Sequence, residues 1–177
     1  DYFLQHDVYS DDPFTPQVEP SIPFPLGILV QNKGYGSAHD FSITSAQPKI
    51  IENSNDLLIA FSLIGSQVGN DPSVSPSLTL DFGNIGPQAN AEGLWYMPPP
   101  LEGQFLSFHA SFEHKDDLGN TNTSLINQVR IHELNHVVRR TAPSDDGLSD
   151  FLANDTTNVD ALPGIVYSSD GATYPVT

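Results

Sequence analysis

The sequence of 177 residues contains no cysteine. This absence excludes disulfide frameworks, thiol catalysis and cysteine-ligated zinc sites together. Basic residues are also scarce, because 6 Lys and Arg stand against 22 Asp and Glu and leave a net charge of −16. Binding to phosphates requires clustered Lys and Arg, so we expect no nucleic acid among the partners of this chain.

Long apolar runs are missing as well. No run approaches the roughly 18 residues needed to cross a bilayer, so the sequence predicts no membrane insertion. Charged residues make up only 16% of the chain, which is rich in Ser, Thr, Asn and proline. This composition favours an extracellular or cell-surface protein. Two Asn-x-Ser/Thr triplets agree and predict covalent glycans at Asn122 and Asn154. Because the chain opens at Asp1 without methionine or a signal segment, we interpret it as a processed piece of a longer product.

Apolar and polar residues alternate along most of the chain, a period of two that is typical of strands with one buried face. The clearest run extends from Ile22 to Val30. Pro23 and Pro25 within it predict that this end of the strand lies at a sheet edge. Further runs follow at 41–43, 57–63, 78–82, 94–97 and 106–112. Turn signals rich in Gly, Asn and Asp separate these runs, so the sequence predicts an all-β fold, an antiparallel β-sandwich.

The composition changes after Arg140, because residues 141–177 contain acids but no base. We expect the sandwich to occupy residues 1–140 and residues 141–177 to form an acidic C-terminal extension, a connector or tail. Both ends of the chain carry apolar residues in stretches too short to fold alone. We therefore expect a terminal segment, 1–9 or 162–177, to pack on a neighbouring copy.

Two stretches resemble a known family. The stretch from Val30 to Ala38 resembles the N-x-G-x-G-x-A turn of CARDB/NEW3-type immunoglobulin-like domains, which occur in large bacterial and algal surface proteins. The stretch from Leu80 to Pro87, followed by Trp95, is similar to a later strand, Gly-Pro turn and aromatic strand of those domains. The resemblance covers roughly residues 18–140, with a longer insertion around 52–76. It implies an immunoglobulin-like β-sandwich that serves as a spacer, adhesive or assembly module, usually repeated and usually without catalysis.

Residues 132–136 read His-Glu-Leu-Asn-His and match the H-E-x-x-H zinc pattern. On a helix, His132 and His136 would share one face and bind Zn²⁺, and Glu133 would activate the bound water. A third ligand at a recognised spacing is missing. The run 124–138 is also rich in β-branched residues, so we interpret it as the last strand of the sandwich. On a strand the two imidazoles are about 13 Å apart, too far to share an ion. A zinc metallohydrolase at these residues is the alternative.

Asp145, Asp146 and Asp150 lie on a loop that contains Gly147, and carboxylate oxygens suit Ca²⁺. The spacing of a calcium loop is missing, so we interpret this segment as a solvated acidic loop. A calcium-dependent carbohydrate-binding module is the alternative.

We therefore predict no catalytic residue and no cofactor. The predicted function is that of a non-enzymatic structural module in a glycosylated extracellular surface protein or self-assembling fibre. Its contacts would run through strand edges and chain termini, and its partners would be other copies of itself or neighbouring repeats.

Overall fold

The computed structural model describes residues 1–44, 62–71, 75–104, 126–141, 145–156, 158 and 160–176. Over these ranges the protein is all-β, as predicted, and no helix occurs among them. None of these ranges holds a helix with the length and apolar character needed to span a membrane. The twelve strands are β1 (Tyr2–Leu4), β2 (Asp7–Val8), β3 (Phe24–Gln31), β4 (Ala38–Thr44), β5 (Gly65–Val68), β6 (Thr79–Ile85), β7 (Asn90–Met97), β8 (Gly103–Gln104), β9 (Ile131–Val138), β10 (Asp150–Asn154), β11 (Ile165–Tyr167) and β12 (Thr173–Pro175).

Eight of the strands form one sheet in the order β12-β11-β10-β9-β1-β3-β7-β5. Neighbours in this sheet are antiparallel except β1 and β9, which run parallel. The remaining strands pair as two short antiparallel ladders, β2–β8 and β4–β6. The mostly antiparallel arrangement agrees with the predicted fold class, whereas the parallel pair was not predicted.

Apolar side chains pack on both faces of the central strands. The first cluster consists of Tyr2, Leu4, Val8, Phe24, Leu26, Ile28, Leu80, Trp95 and Met97. The second cluster consists of Phe3, Leu29, Leu94, Leu134, Phe151, Ala153 and Tyr167. Consecutive residues of β3, Ile28 and Leu29, belong to different clusters, and so do Leu94 and Trp95 of β7. The one-sided burial predicted for β3 is therefore wrong, because the strand is covered on both faces.

The sheet curls so that its β9–β12 half covers the face of β3 and β7. Strands β3 and β10 are three steps apart in the sheet, about 14 Å if the sheet were flat. Yet a Cβ atom at Gly27 of β3 would overlap the ring of Phe151 of β10. Phe3 of β1 stacks on the same ring, with 4.3 Å between the ring centroids. A single curled sheet thus produces a sandwich-like arrangement with the second cluster inside it.

Strand β3 is central, although its prolines predict an edge. Leu29 exchanges backbone hydrogen bonds with Asp1, at 2.9 and 3.0 Å. Because such bonds alternate along an antiparallel pair, Pro25 faces the same side as Leu29. Strand β1 ends at Leu4, opposite Leu26. The missing N–H of Pro25 therefore lies just beyond the neighbouring strand, which explains how a central strand accommodates it.

The main sheet continues beyond Arg140, because β10, β11 and β12 belong to it. Phe151 has no exposed surface and Tyr167 is 8% exposed in the second cluster. The expected division at residue 140 therefore does not separate a sandwich from a tail. The terminal apolar stretches likewise lie in β1 and β11 and pack within their own chain. The strand predicted at 106–112, most of the run 57–63 and the sequon at Asn122 lie outside the described residues.

Candidate functional site

The H-E-x-x-H residues lie on strand β9, not on a helix. Opposite β9, Leu152 pairs with His136 and Ala153 pairs with Leu134, so Asn135 is an extra residue in a β-bulge. The bulge changes which residues share a face. Leu134 and Val137 both pack in the second cluster, although simple alternation along a strand would place them on opposite faces.

The two histidines of this motif have different surroundings. His132 is buried, with 7% of its surface exposed, whereas His136 is exposed. Glu133 is half-buried and accepts a hydrogen bond from Asn154 at 3.0 Å. Across the described ranges, no group of three His, Asp or Glu side chains is placed to hold a metal ion.

His132 is the centre of a polar network that joins four segments of the chain. Its Nδ1 lies 2.7 Å from Oδ1 of Asp155, and its Nε2 lies 3.0 Å from Oδ1 of Asp1. Arg130 donates to both carboxylate oxygens of Asp1, at 2.6 and 2.9 Å. The hydroxyl of Tyr167 donates to Oδ2 of Asp155. We call Asp1, Arg130, His132, Asp155 and Tyr167 the His132 network.

Aromatic rings enclose this network. The ring of Phe3 stacks on His132, with 5.0 Å between the centroids, and the ring of Tyr167 lies 4.3 Å away. Burial lowers the pKa of His132, and the hydrogen bond to Asp155 opposes that change. Burial and the same carboxylate raise the pKa of Tyr167 to about 12, so its hydroxyl remains a donor. Chemically, the arrangement attaches the first residue of the chain to β9 and β11.

The acidic loop of Asp145, Asp146 and Asp150, for which calcium binding was the alternative, is held by the chain's own hydrogen bonds. Asp150 has no exposed surface, and its oxygens accept from the backbone N–H of Ser169 at 2.9 Å and of Arg140 at 3.0 Å. Asp146 accepts from the N–H of Leu148 and from the hydroxyl of Ser169, both at 2.9 Å. The interpretation as a solvated acidic loop is therefore wrong for Asp150, which is a structural residue of strand β10.

A buried acid beside this loop was not predicted from the sequence. Glu92 of β7 is 2% exposed, and its Oε1 accepts a hydrogen bond from the N–H of Ser149 at 3.2 Å. Neither its Oε2 nor Oδ1 of Asp145 has a hydrogen-bond partner within the ranges described above. Burial raises the pKa of Glu92 to about 7, and the charges of Asp146 and Asp150 act in the same direction.

The side chain of Asn154, the second predicted glycosylation site, is bound by hydrogen bonds within the chain. Asn154 is 2% exposed, and its Nδ2 donates to Oε2 of Glu133 at 3.0 Å and to the carbonyl of Asn158 at 2.9 Å. Its Oδ1 accepts from the N–H and the hydroxyl of Thr156, at 3.0 and 2.8 Å. A glycan on Nδ2 would replace one of these donors and would need space that a buried side chain lacks. The glycosylation predicted at Asn154 therefore does not fit the folded chain.

A polar cleft of about 200 Å³ lies where β3 ends and β7 begins. It is lined by Gln31, Asn32, Lys33, Gln88, Asn90, Asp170 and Gly171. Gln31 donates to the carbonyl of Gly171 at 3.0 Å, and Gln88 donates to the carbonyl of Lys33 at 2.7 Å. Side-chain amides, one ammonium and one carboxylate form a lining that suits a ligand rich in hydroxyl groups.

The comparisons with known proteins add no relative. No protein-family model matches the chain, and neither the curated proteins nor the solved structures give a significant match. The resemblance to CARDB-type domains therefore stays a prediction.

Proposed function

We propose that this chain is a non-catalytic structural module of an extracellular surface protein or fibre, glycosylated at Asn122, that associates with other copies of itself. The observation that carries the proposal is the position of β1. This three-residue strand lies in the middle of the sheet and is bound by main-chain hydrogen bonds to β3 on one side and β9 on the other. Strand addition of this kind is a recurrent way in which one chain holds another.

The outer edge at β12 is less suited to such a contact. Ser168 donates to Ala172 and Val176 donates to Gly164, so the even-numbered residues of β12 face β11. Pro175 therefore faces outward, where it has no N–H to offer to another strand. Proline at this position protects the edge from strand addition. We accordingly assign the contacts to the first strand and its connector, not to β12.

The connector between β2 and β3 supports the proposal. Residues 13–23 are all exposed, and the connector presents large apolar side chains to solvent. Phe14 is 72% exposed, Val18 is 89% exposed and Ile22 is 56% exposed. Single exposed apolar residues are ordinary, but several within one connector indicate a surface that another molecule covers.

The test is sedimentation velocity on the chain over a wide range of concentrations. We expect concentration-dependent association, and we expect Phe14→Ser to weaken it. Tyr35→Ser is the matched control, because Tyr35 is 98% exposed on a different loop. A single monomeric species at every concentration would contradict the proposal, as would equal effects of the two substitutions.

The polar cleft favours a second candidate, a carbohydrate-binding module. Its amide, Lys33 and Asp170 side chains can donate to and accept from sugar hydroxyls. Retention of the chain on immobilised polysaccharides, with and without calcium, tests this candidate. Retention that is lost in Gln88→Ala would support it, and passage through every matrix without delay would reject it.

A further inference from the structure

We infer that residues 1–12 exchange between two copies of the chain, so that β1 of each copy inserts between β3 and β9 of the other. The inference rests on the proposed function and deepens it, because it names the segment and the partner through which the module associates. The partner is a second copy of this chain, since the groove and the segment that fills it are complementary within one sequence.

The sheet is continuous only when β1 fills the groove between β3 and β9. In the described part of the sheet, β1 is the strand that links β3, β7 and β5 to β9–β12. Tyr2 and Leu4 enter the first apolar cluster, while Phe3, with no exposed surface, enters the second. Removal of this segment would separate the two halves of the sheet and open both cores.

The groove also specifies the direction and register of the strand. Arg130 binds the carboxylate of Asp1 through two hydrogen bonds, at 2.6 and 2.9 Å, and His132 lies 3.0 Å from the same group. The backbone of Asp1 pairs with Leu29, and Tyr2 then lies opposite Ile28. A strand inserted in another register would leave this buried carboxylate without its partners.

Residues 1–12 move as a unit because their other contacts are also with distant parts of the chain. Strand β2 pairs with β8, and Asp11 forms a bridge with Leu101. The unit is joined to β3 by the exposed connector 13–23. The connector folds back on the unit, because the N–H of Ile22 donates to the carbonyl of Tyr9 at 2.9 Å, and the hydroxyl of Ser21 also donates to the carbonyl of Pro99 at 2.7 Å. The connector contains four prolines, at positions 13, 16, 20 and 23. Once the connector's hydrogen bonds are broken in the exchange, these prolines favour an extended, semi-rigid chain.

The connector is long enough to reach a neighbouring molecule. Eleven residues span roughly 36 Å when extended. The contacts between β1 and its groove are the same whether the strand comes from its own chain or from a second copy. The difference between the two states is therefore confined to the connectors and the entropy of association. In a two-fold dimer the two connectors lie side by side, which can bury Phe14 and Val18.

Two single-cysteine variants test the exchange directly. Tyr2 and Ile28 form a pair without mutual hydrogen bonds, and the typical Cα separation of such pairs, about 4.5 Å, suits a disulfide. Tyr2→Cys and Ile28→Cys chains are mixed, refolded together at high concentration and oxidised. Because the chain has no other cysteine, a disulfide-linked heterodimer that forms after refolding, in excess of the one formed in denaturant, shows that Tyr2→Cys has inserted into the other copy.

A double variant provides the converse test. Tyr2→Cys/Ile28→Cys, oxidised at low concentration, locks the strand into its own chain, so we expect association to be lost and to return on reduction. Thr44→Cys/Thr79→Cys is the matched control, because these exposed residues pair between β4 and β6, both beyond the connector, and their hydroxyls lie 2.8 Å apart. This control should associate like the parent chain.

The outcomes separate the exchange from the proposed function. A cross-linked heterodimer together with association that the lock abolishes supports the exchange. Association that persists in the locked variant, with no heterodimer, overturns the exchange but leaves the proposed function standing. A parent chain that never associates overturns both. If the cysteine variants do not fold, the parent sequence is used. Isotope-filtered NMR spectra of mixed unlabelled and ¹³C-labelled copies then decide. Contacts between Tyr2 of an unlabelled copy and Ile28 of a labelled copy support the exchange, and their absence overturns it.

Discussion

Replacing Glu92 by Gln should stabilise the protein at neutral and alkaline pH and have little effect in acid. The carboxyl group of Glu92 is buried, with one oxygen bonded to Ser149 and the other without a partner in the described structure. Burial, reinforced by Asp146 and Asp150, raises its pKa from an ordinary value of 4.5 to about 7. A glutamine resembles the protonated side chain and cannot ionise.

The direction of the effect follows from proton linkage. The folded state binds the proton of Glu92 more tightly than the unfolded state does, because its pKa is raised on folding. The stabilisation from this proton is fully present below pH 4.5 and is lost as the pH rises through about 7. At about 1.4 kcal/mol for each pH unit between the two pKa values, the loss amounts to about 3 kcal/mol. That is a large part of the 5–15 kcal/mol or so that is typical for a folded domain.

Urea unfolding, followed by the fluorescence of Trp95, measures the difference. This tryptophan is the only one in the sequence and is 1% exposed. By the same linkage relation, Glu92→Gln should exceed the parent in unfolding free energy by less than about 1 kcal/mol at pH 5 and by about 3 kcal/mol at pH 8. Glu102→Gln is the control. Because Glu102 is exposed, its substitution should change stability by no more than about 0.5 kcal/mol at either pH.

Equal stabilities of Glu92→Gln and the parent at pH 8 would refute this reasoning. That result would mean that the folded protein stabilises the ionised carboxylate of Glu92 as well as water does. A lower stability of Glu92→Gln at both pH values would instead show that the hydrogen bond from Ser149 requires a charged acceptor.

Three other substitutions or modifications test the fold. Phe3→Ala should lower the unfolding free energy by about 3–5 kcal/mol, since the ring is fully buried, whereas Phe14→Ala should change it by less than about 0.5 kcal/mol in thermal melts. Gly27→Ala should cost at least about 1–3 kcal/mol, because its Cβ would overlap a ring of β10, while Gly164→Ala meets open space and should be tolerated. Glycopeptide mapping of folded chain from a glycosylating host should find Asn154 unmodified, and a glycan there would contradict its buried hydrogen bonds.

Strands were predictable because each carries its own signal in the sequence. The run 131–138 is rich in β-branched and apolar residues and does form β9. The bulge at Asn135 was not predictable, because it depends on how β9 pairs with β10. That one extra residue changes the face on which every later side chain of β9 lies.

The C-terminal strands were missed for a related reason. Residues 141–177 are acidic and interrupted by proline, and this average composition resembles that of a tail. Phe151 to Ala153 and Ile165 to Tyr167 are short apolar segments that cannot fold alone. They become strands because β9 provides a template for β10, and β10 provides one for β11.

The buried polar groups show where sequence reasoning ends. Glu92 lies two residues before Leu94 and four before Tyr96. Because alternate side chains of a strand share a face, Glu92 is placed on an apolar face of β7. The His132 network has no comparable signal, because its partners come from both ends of the chain. Only the curled sheet brings Asp1 and Asp155 to opposite sides of one imidazole.

The curled sheet is closed in two chemically different ways. Along β1 the closure consists of main-chain hydrogen bonds and buried side chains, together with the contacts of the Asp1 carboxylate with Arg130 and His132. Between β7 and the loop before β10 it consists of a hydrogen bond from the N–H of Ser149 to the buried carboxyl group of Glu92. Ionisation of Glu92 weakens only the second closure. Because Glu92 lies on β7, outside the groove between β3 and β9, its ionisation loosens the β10 side of the sheet and leaves the main-chain and apolar contacts of β1 in place.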